Sequence, residues 1–311
     1  MNGLELSRNY FRDTAAPRLK NDFPELYTRM AAGLVGNGSE CFGYDDGISR
    51  DHDWGVDFFL WVPERDWISI PALQDWKNAL FESDPPEFKR DRSEYGARIG
   101  VTTVGDFYKS LIGYPEGPDA IQEWRRVPEA NFAMAVNGEV FLDNDGKFTA
   151  TREKLLGHFP EDIRKKKLAA NCMALAQTGQ YNFARCYKRQ DWVTLKTVLC
   201  RFTDAVLSTV FLLNKVFMPY YKWAYKIMTE LPLLGGEIGP MLSDIARSGT
   251  DDSGMFKYIS ALIENICAKI ADELRRQGLA TTDDWFLTTQ AEQIRASIKD
   301  DILRALPTQN E

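Results

Sequence analysis

The pattern of apolar residues changes near residue 149, and this change constrains the fold more than any other feature of the chain. Before it, β-rich runs such as Val56–Val62 and Ala97–Val104 alternate with helical segments. After it, the longer segments repeat apolar residues at helical spacing, as in the isoleucine-rich stripe from Ile259 to Leu274. The sequence therefore predicts an α+β protein, with a small mixed β-sheet in residues 1–148 and an α-helical bundle domain in residues 149–311.

The first half contains several predicted elements that matter for function. Helices are predicted over residues 4–16, ending before Pro17, and over Pro24–Val35, where Gly36 and Gly38 stop the helix. Val56–Val62 is predicted as a strand, and Asn131–Leu142 as a second extended segment that turns at Asn137-Gly138.

Charge and composition exclude several classes of function. The 311 residues carry a net charge of −7, which argues against bulk binding of nucleic acid. Two histidines and five cysteines without a Cys-x-x-Cys pair argue against a zinc site and indicate reduced thiols in a cytoplasmic protein. No signal peptide is recognisable, and the longest apolar segment, Ala205–Met218, is too short to span a bilayer and is predicted as a buried helix, so no membrane partner is expected.

One stretch, Gly38–Phe59, combines residues that suit phosphate and metal chemistry. Gly38-Ser39 forms a small turn with exposed backbone N–H groups, and eleven residues later the chain reads Asp51-His52-Asp53. In an extended strand alternate side chains share a face, so the two aspartates would lie about 7 Å apart on one side. Two carboxylates placed this way can bind a hard divalent cation such as Mg²⁺.

Structural interpretations of the same stretch compete with this one. Acidic loops are commonly solvated turns, and Asp45-Asp46-Gly47 is predicted to be one. A calcium loop starting at Asp51 would need Gly and Glu where Val56 and Val62 stand. A hydrolase triad of Ser39, His52 and an aspartate lacks the Gly-x-Ser-x-Gly elbow.

A third carboxylate would serve as a further metal ligand or as the base for an acceptor hydroxyl. Glu139 and Asp143 in the second extended segment are the candidates, because this segment could lie beside the first. The structural alternative assigns Glu139 to the turn at Asn137-Gly138 and Asp143 to the turn Asp143–Gly146.

Cations and aromatic rings in the helical half could meet a nucleotide. Arg185 and Lys222 are the candidates for phosphate contacts, and Tyr220 is a candidate for stacking on the base. On helices such residues more often decorate solvated faces or fill cores, so this assignment remains open.

The spacing of Gly38-Ser39 and Asp51-x-Asp53 resembles the signature of the nucleotidyltransferase superfamily, which includes kanamycin nucleotidyltransferase and DNA polymerase beta. SRDHDWG, GEVFLD, RCYKRQD and PYYKW, in this order, resemble a bacterial family of nucleotidyltransferase-like proteins classified as a domain of unknown function, over about residues 20 to 290. The resemblance implies an N-terminal nucleotidyltransferase domain followed by a helical domain. It implies that Gly38 and Ser39 form the phosphate turn and that Asp51 and Asp53 hold metal.

The expected activity is therefore Mg²⁺-dependent transfer of a nucleoside monophosphate, with two metal ions and with ATP as the default nucleotide. The acceptor is left open between a small molecule, a protein side chain and a tRNA end. Two alternatives stand beside this activity: a non-catalytic nucleotide-sensing or interaction protein, and a toxin-like enzyme that modifies tRNA.

Overall fold

A computed structural model describes residues 2–50, 53–90, 99–249 and 253–308. The chain divides into two compact units, Met1–Gly157 and His158–Glu311. The predicted boundary after residue 148 falls inside the last helix of the first unit, Lys147–Leu156.

The first unit contains a four-stranded mixed sheet. Its strands are β1 Ala31–Leu34, β2 Phe59–Val62, β3 Val101–Thr103 and β4 Glu139–Asp143, in the spatial order β3-β2-β1-β4. β1 is antiparallel to both β2 and β4, whereas β2 and β3 are parallel. The prediction of a small mixed sheet with accompanying helices is thereby confirmed.

Eight α-helices accompany this sheet in the described part of the first unit. They are α1 Gly3–Tyr10, α2 Ala16–Asp22, α3 Pro24–Tyr27, α4 Ile70–Ser83, α5 Val104–Ile112, α6 Ile121–Arg126, α7 Glu129–Val136 and α8 Lys147–Leu156. A π-helical segment, Phe11–Ala15, joins α1 to α2, and two 3₁₀ segments cover Glu40–Phe42 and Glu64–Ser69.

Four sequence predictions were wrong in detail. The helix predicted over Pro24–Val35 ends at Tyr27, and its second half forms β1, which is buried at every position. Burial between two partner strands outweighs the helical spacing of this small, apolar segment.

The N-terminal helix also passes through Pro17, which lies in the first turn of α2, where a missing N–H is tolerated. The strand predicted over Val56–Val62 begins at Phe59, and residues up to Val136 of the segment predicted to be extended form α7.

The two faces of β2 bury different clusters of aromatic residues. Phe58, the residue before β2, joins Leu60 and Val62 in a cluster with Phe11 of the N-terminal helical segment, and the rings of Phe58 and Phe11 lie 5.2 Å apart. Trp61 packs on Phe148 at 4.0 Å on the opposite face. A buried ion pair at 2.6 Å between Lys77 of α4 and Asp57 holds α4 against the start of β2.

The described residues of the second unit contain helices and no strand. The α-helices are α9 Glu161–Leu175, α10 Phe183–Lys188, α11 Trp192–Asn214, α12 Tyr221–Glu230, α13 Gly235–Arg247, α14 Ser253–Arg276, α15 Leu287–Ala296 and α16 Asp301–Ala305. The predicted stripe of α14 from Ile259 to Leu274 is buried, and Gly278 follows the helix in a left-handed conformation. The helical prediction for this half is therefore confirmed.

One described helix, α11, is long and apolar enough to cross a membrane by length and composition alone. About 61% of its most apolar window is buried inside the protein, as expected for the core helix of a soluble protein. The predicted buried helix at Ala205–Met218 corresponds to the second half of α11 up to Asn214, and residues 215–218 follow the end of the helix.

Candidate functional site

The register of the sheet brings three predicted site segments to one end. The last residue of β1, Leu34, pairs with Glu139, the first residue of β4, and Gly33 pairs with Phe59, the first residue of β2. Because both neighbours run antiparallel to β1, the turn that follows β1 lies at the same end as the starts of β2 and β4. Gly38, Ser39 and Glu139 therefore belong to one end of the sheet, and so does the segment that enters β2.

The same register separates the two candidates for a third carboxylate. Asp143 pairs with Ala31, at the opposite end of β1 from the Gly-Ser turn. β4 also lies beside β1 and not beside β2, so the expectation that the two extended segments are neighbours was wrong. Of these two candidates, Glu139 is the one that the fold places at the end of the sheet with the turn.

The Gly38-Ser39 turn follows a strand and not the predicted helix. Gly36 and Gly38 have φ values of 116° and 120°, which residues with a side chain rarely adopt. A Cβ at Gly38 would also lie 2.8 Å from the carboxylate of Glu40. The glycines thus permit a tight turn, against which the carboxylate of Glu40 lies.

Asp53 does not lie in extended backbone. Its φ is 53°, and Gly55 has a φ of 131° with no room for a Cβ beside the carbonyl oxygen of Phe88. The chain bends here because it passes close to residues 88–90, so the predicted strand geometry of Asp51-x-Asp53 was wrong at Asp53. Asp51 and His52 lie outside the described residues.

Arg90 joins the Gly-Ser turn to the aspartate segment. Its guanidinium forms a buried ion pair with Glu40, which follows Ser39, and donates a hydrogen bond of 2.7 Å to the carbonyl oxygen of Asp53. Arg90 and Glu40 are 7% and 1% exposed. This single side chain fixes the two halves of the candidate site relative to each other.

Asp45 organises the loop between these halves. It accepts hydrogen bonds of 2.7 Å from the backbone N–H of Gly3 and from the indole N–H of Trp54, and Arg50 approaches it at 3.9 Å. Asp45 is buried, so the prediction of a solvated turn was wrong for this residue. Asp46 behaves as predicted, because it accepts from the backbone N–H groups of the turn that follows it.

Glu139 is held beside the turn by backbone and charge. Asn137 exchanges two hydrogen bonds with the backbone of Gly36, at 2.8 and 2.7 Å. The carboxylate of Glu139 forms an ion pair of 2.9 Å with Arg8, and both side chains are partly exposed. Glu139 is therefore accessible, but a cation of the protein already compensates its charge.

Asp143 has a structural role. One of its carboxylate oxygens accepts a hydrogen bond of 2.7 Å from the backbone N–H of Thr149, in the first turn of α8. This contact satisfies a free N–H group at the helix start. Asp143 itself is the last residue of β4, directly before the other residues of the predicted turn Asp143–Gly146.

The donor types at this end of the sheet suit a magnesium ion, since Asp53 and Glu139 offer the carboxylate oxygens that this ion prefers. Within residues 2–50, 53–90, 99–249 and 253–308, however, no three acidic, histidine or cysteine side chains come together as a ready-made site.

The nucleotide-binding candidates of the helical half lie in the second unit. Arg185 stacks over the ring of Tyr181 at 4.0 Å, and Lys222 lies 5.0 Å from the ring of Trp223. Tyr220 is 54% exposed and packs on Tyr221.

Sequence patterns do not reveal the residues that support the site. Arg90 falls in a polar, proline-rich stretch, and Arg8 lies on a helix, and neither residue belongs to a recognisable motif. Both act through partners that are distant along the chain, which no local pattern records.

A family model described as a domain of unknown function, DUF4037, matches residues 124–224, from α6 to α12. This region includes Glu139, Arg185 and Lys222 and excludes the Gly38–Phe59 stretch. No curated protein and no solved structure matches the chain.

Proposed function

We propose that this protein is a Mg²⁺-dependent nucleotidyltransferase that moves a nucleoside monophosphate, with AMP from ATP as the default, to an acceptor and releases pyrophosphate. One observation carries the proposal: the register of β1 with β2 and β4 gathers the Gly-Ser turn, the segment that contains Asp53, and Glu139 at one end of the sheet. These are the groups that a phosphate, a metal ion and an acceptor hydroxyl would need in one place.

Each residue has a distinct role in this proposal. Gly38 and Ser39 seat the β- and γ-phosphates through backbone N–H groups, and Asp51 and Asp53 bind the metal. Bound Mg²⁺, as one or two ions, would neutralise the charge of the phosphates. Glu139 takes the proton of the acceptor hydroxyl, whose oxygen attacks the α-phosphorus as the bond to the β-phosphate oxygen breaks.

The ion pair of Glu139 with Arg8 favours a second candidate, a nucleotide-sensing protein without turnover. The guanidinium of Arg8 already contacts the carboxylate that would bind the metal or take the proton of the acceptor. In that case ATP binds and no acceptor is modified. A toxin-like enzyme that modifies tRNA is a special case of the first proposal, because it is a nucleotidyltransferase whose acceptor is RNA.

The test follows transfer of label from α-labelled ATP, with magnesium, to components of a fractionated bacterial extract. We expect label in one fraction with the wild-type protein and none with the Asp51→Asn/Asp53→Asn variant. The chemical nature of the labelled fraction then identifies the acceptor as a small molecule, a protein or RNA. No transfer with any of the four nucleotides, together with measurable ATP binding, would favour the sensing protein.

Glu139 and Asp143 form a matched pair for the same assay. Glu139→Gln should lower the transfer rate by about 100-fold or more, as expected when a general base is lost. Asp143→Asn keeps a carbonyl oxygen for the N–H of Thr149 and should change the rate by less than about threefold. The reverse result would contradict the assignment of Glu139.

A further inference from the structure

A pocket of about 580 Å³ opens beside Glu139, between the N-terminal helix and β4. Its volume falls within the range of small-molecule sites. Three cations and one carboxylate contribute to its lining together with apolar side chains; the charged residues are Arg8, Arg12, Lys20 and Glu139. None of these residues except Arg8 and Glu139 belongs to the site described above.

The π-helical segment explains why the three cations share one face. At about 100° per residue, Lys20 would point about 120° away from Arg8 in an uninterrupted α-helix. The backbone N–H of Ala16 instead donates to the carbonyl oxygen of Phe11, five residues earlier. One extra residue in this turn reduces the angle to about 20°, so that Arg8, Arg12 and Lys20 form one row toward the pocket.

The three cations differ in how their charge is compensated. Arg8 is paired with Glu139, and Arg12 is paired with its neighbour Asp13 at 2.7 Å. Lys20 is exposed and makes no ion pair with any residue that the structure describes. The row therefore offers at least one ammonium group to a ligand.

The remaining lining is apolar and aromatic. Phe11, Pro17, Val140, Phe141 and Leu142 contribute to the wall, and Ala16 leaves space between Arg12 and Lys20. Such a surface suits a planar or aliphatic body, and the row of cations suits an acidic group on that body.

We infer that this pocket binds a small molecule with an apolar body and an anionic group, a carboxylate or a phosphate. That this molecule is the acceptor rests on the proposed function, because the pocket adjoins Glu139, the residue expected to take the acceptor's proton. The binding site itself rests on the pocket and its row of cations.

Two fluorescent probes with the same kind of aromatic body test the inference. 1-Anilinonaphthalene-8-sulfonate carries an anionic sulfonate, and N-phenyl-1-naphthylamine does not. Each is titrated into the full-length protein without ATP or metal. We expect the sulfonate probe to bind at least about fivefold more tightly, since a charge-assisted contact adds to the same apolar burial.

Three variants locate the binding. Lys20→Gln should weaken binding of the sulfonate probe about fivefold and leave the neutral probe unchanged. Lys109→Gln removes the same charge from an exposed position on α5 and should have no effect on either probe. Ala16→Trp should fill the pocket and abolish binding of both, with circular dichroism to verify the fold.

Equal affinity for the two probes would overturn the inference, and so would equal effects of Lys20→Gln and Lys109→Gln. Binding that persists in a folded Ala16→Trp variant would place the dye elsewhere and would also overturn it. Failure of nucleotidyl transfer with dye binding intact would remove the proposed function and leave the anion site standing. If nucleotidyl transfer and specific binding of the dye are both observed, the labelled fraction of the extract should displace the sulfonate probe.

Discussion

Gly138 lies where β4 begins, and its backbone is left-handed, with a φ of 61°. A Cβ at this position would collide with the carbonyl oxygen of Leu34 in the neighbouring strand. The two strands can therefore approach closely at the end of the sheet where Glu139 lies because residue 138 has no side chain.

We predict that Gly138→Ala lowers the free energy of unfolding by about 3 kcal/mol or more, since both the backbone and the strand spacing must change. Gly146→Ala is the matched control: its φ is 73°, but no atom lies within 4 Å of the added Cβ. That variant should cost about 1 kcal/mol. Urea denaturation measures the free energy of unfolding of both variants. Equal losses in the two variants would show that the close approach of the strands at Gly138 contributes nothing.

His158 is a buried histidine at the start of the second unit. Its ring stacks on Phe217 at 4.6 Å. Burial, together with the positive charge of Arg164, lowers the pKa of His158 from 6.5 to about 4. The folded state therefore holds the ring neutral.

The sign of the pH effect follows from this lowered pKa. Below pH 6.5 His158 is protonated in the unfolded chain but stays neutral in the folded chain. Stability that is fully present above pH 6.5 is therefore lost as the pH falls toward 4. The loss from this group should reach about 3 kcal/mol. In denaturant titrations between pH 7 and 4, His158→Phe should lose less stability than the wild-type protein; parallel curves would contradict the prediction.

At the scale of elements, Arg90 connects the turn after β1 to the segment before β2. We predict that Arg90→Gln lowers the free energy of unfolding by about 3–5 kcal/mol, because Glu40 becomes a buried charge without its partner. The double variant Glu40→Gln/Arg90→Gln carries no buried charge and should recover part of this loss. Chemical denaturation of the wild-type protein, the single variant and the double variant measures these differences. A double variant that is less stable than Arg90→Gln would refute the explanation.

Elements that carry their own signals were predictable from the sequence. α14 has a continuous apolar stripe and a glycine after its last turn, and its structure agrees with both. β1 was not predictable, because Ala31–Leu34 has helical spacing and becomes a strand through burial between β2 and β4. The local sequence pattern predicts the structure of an element that buries only one face. For an element that is buried on all sides, the neighbouring strands determine whether it forms a strand or a helix.

The residues of the candidate site also fall into two groups, those that local motifs indicate and those that depend on distant contacts. Gly38, Ser39 and Glu139 could be proposed from local motifs, and the sheet register then favoured Glu139 over Asp143. Arg8 and Arg90 could not be proposed, because their acidic partners lie 131 and 50 residues away along the chain. Contacts at such separation depend on the whole fold of the first unit.

At the scale of the whole molecule, the matched family region crosses from one compact unit into the other. It begins in α6 of the first unit and ends in α12 of the second. The roles in the proposed function fall to residues of the first unit, whereas Arg185, Tyr220 and Lys222, the further candidates for nucleotide contacts, lie in the second. Substitutions in α12 therefore test whether the helical unit takes part in nucleotide binding.

We predict that Lys222→Gln raises KM for ATP about tenfold and changes kcat less, because loss of one phosphate contact removes about 1.4 kcal/mol of binding. Lys226→Gln is the control: it removes the same charge one helical turn away, from a side chain that also lies near Trp223, at 5.8 Å. Steady-state kinetics at two salt concentrations distinguish a direct contact between Lys222 and a phosphate from the long-range attraction of the positive charges on α12. Salt strongly screens only the long-range attraction. Equal shifts in KM for the two variants would show that α12 contributes charge alone, and an unchanged KM in both would assign nucleotide binding to the first unit.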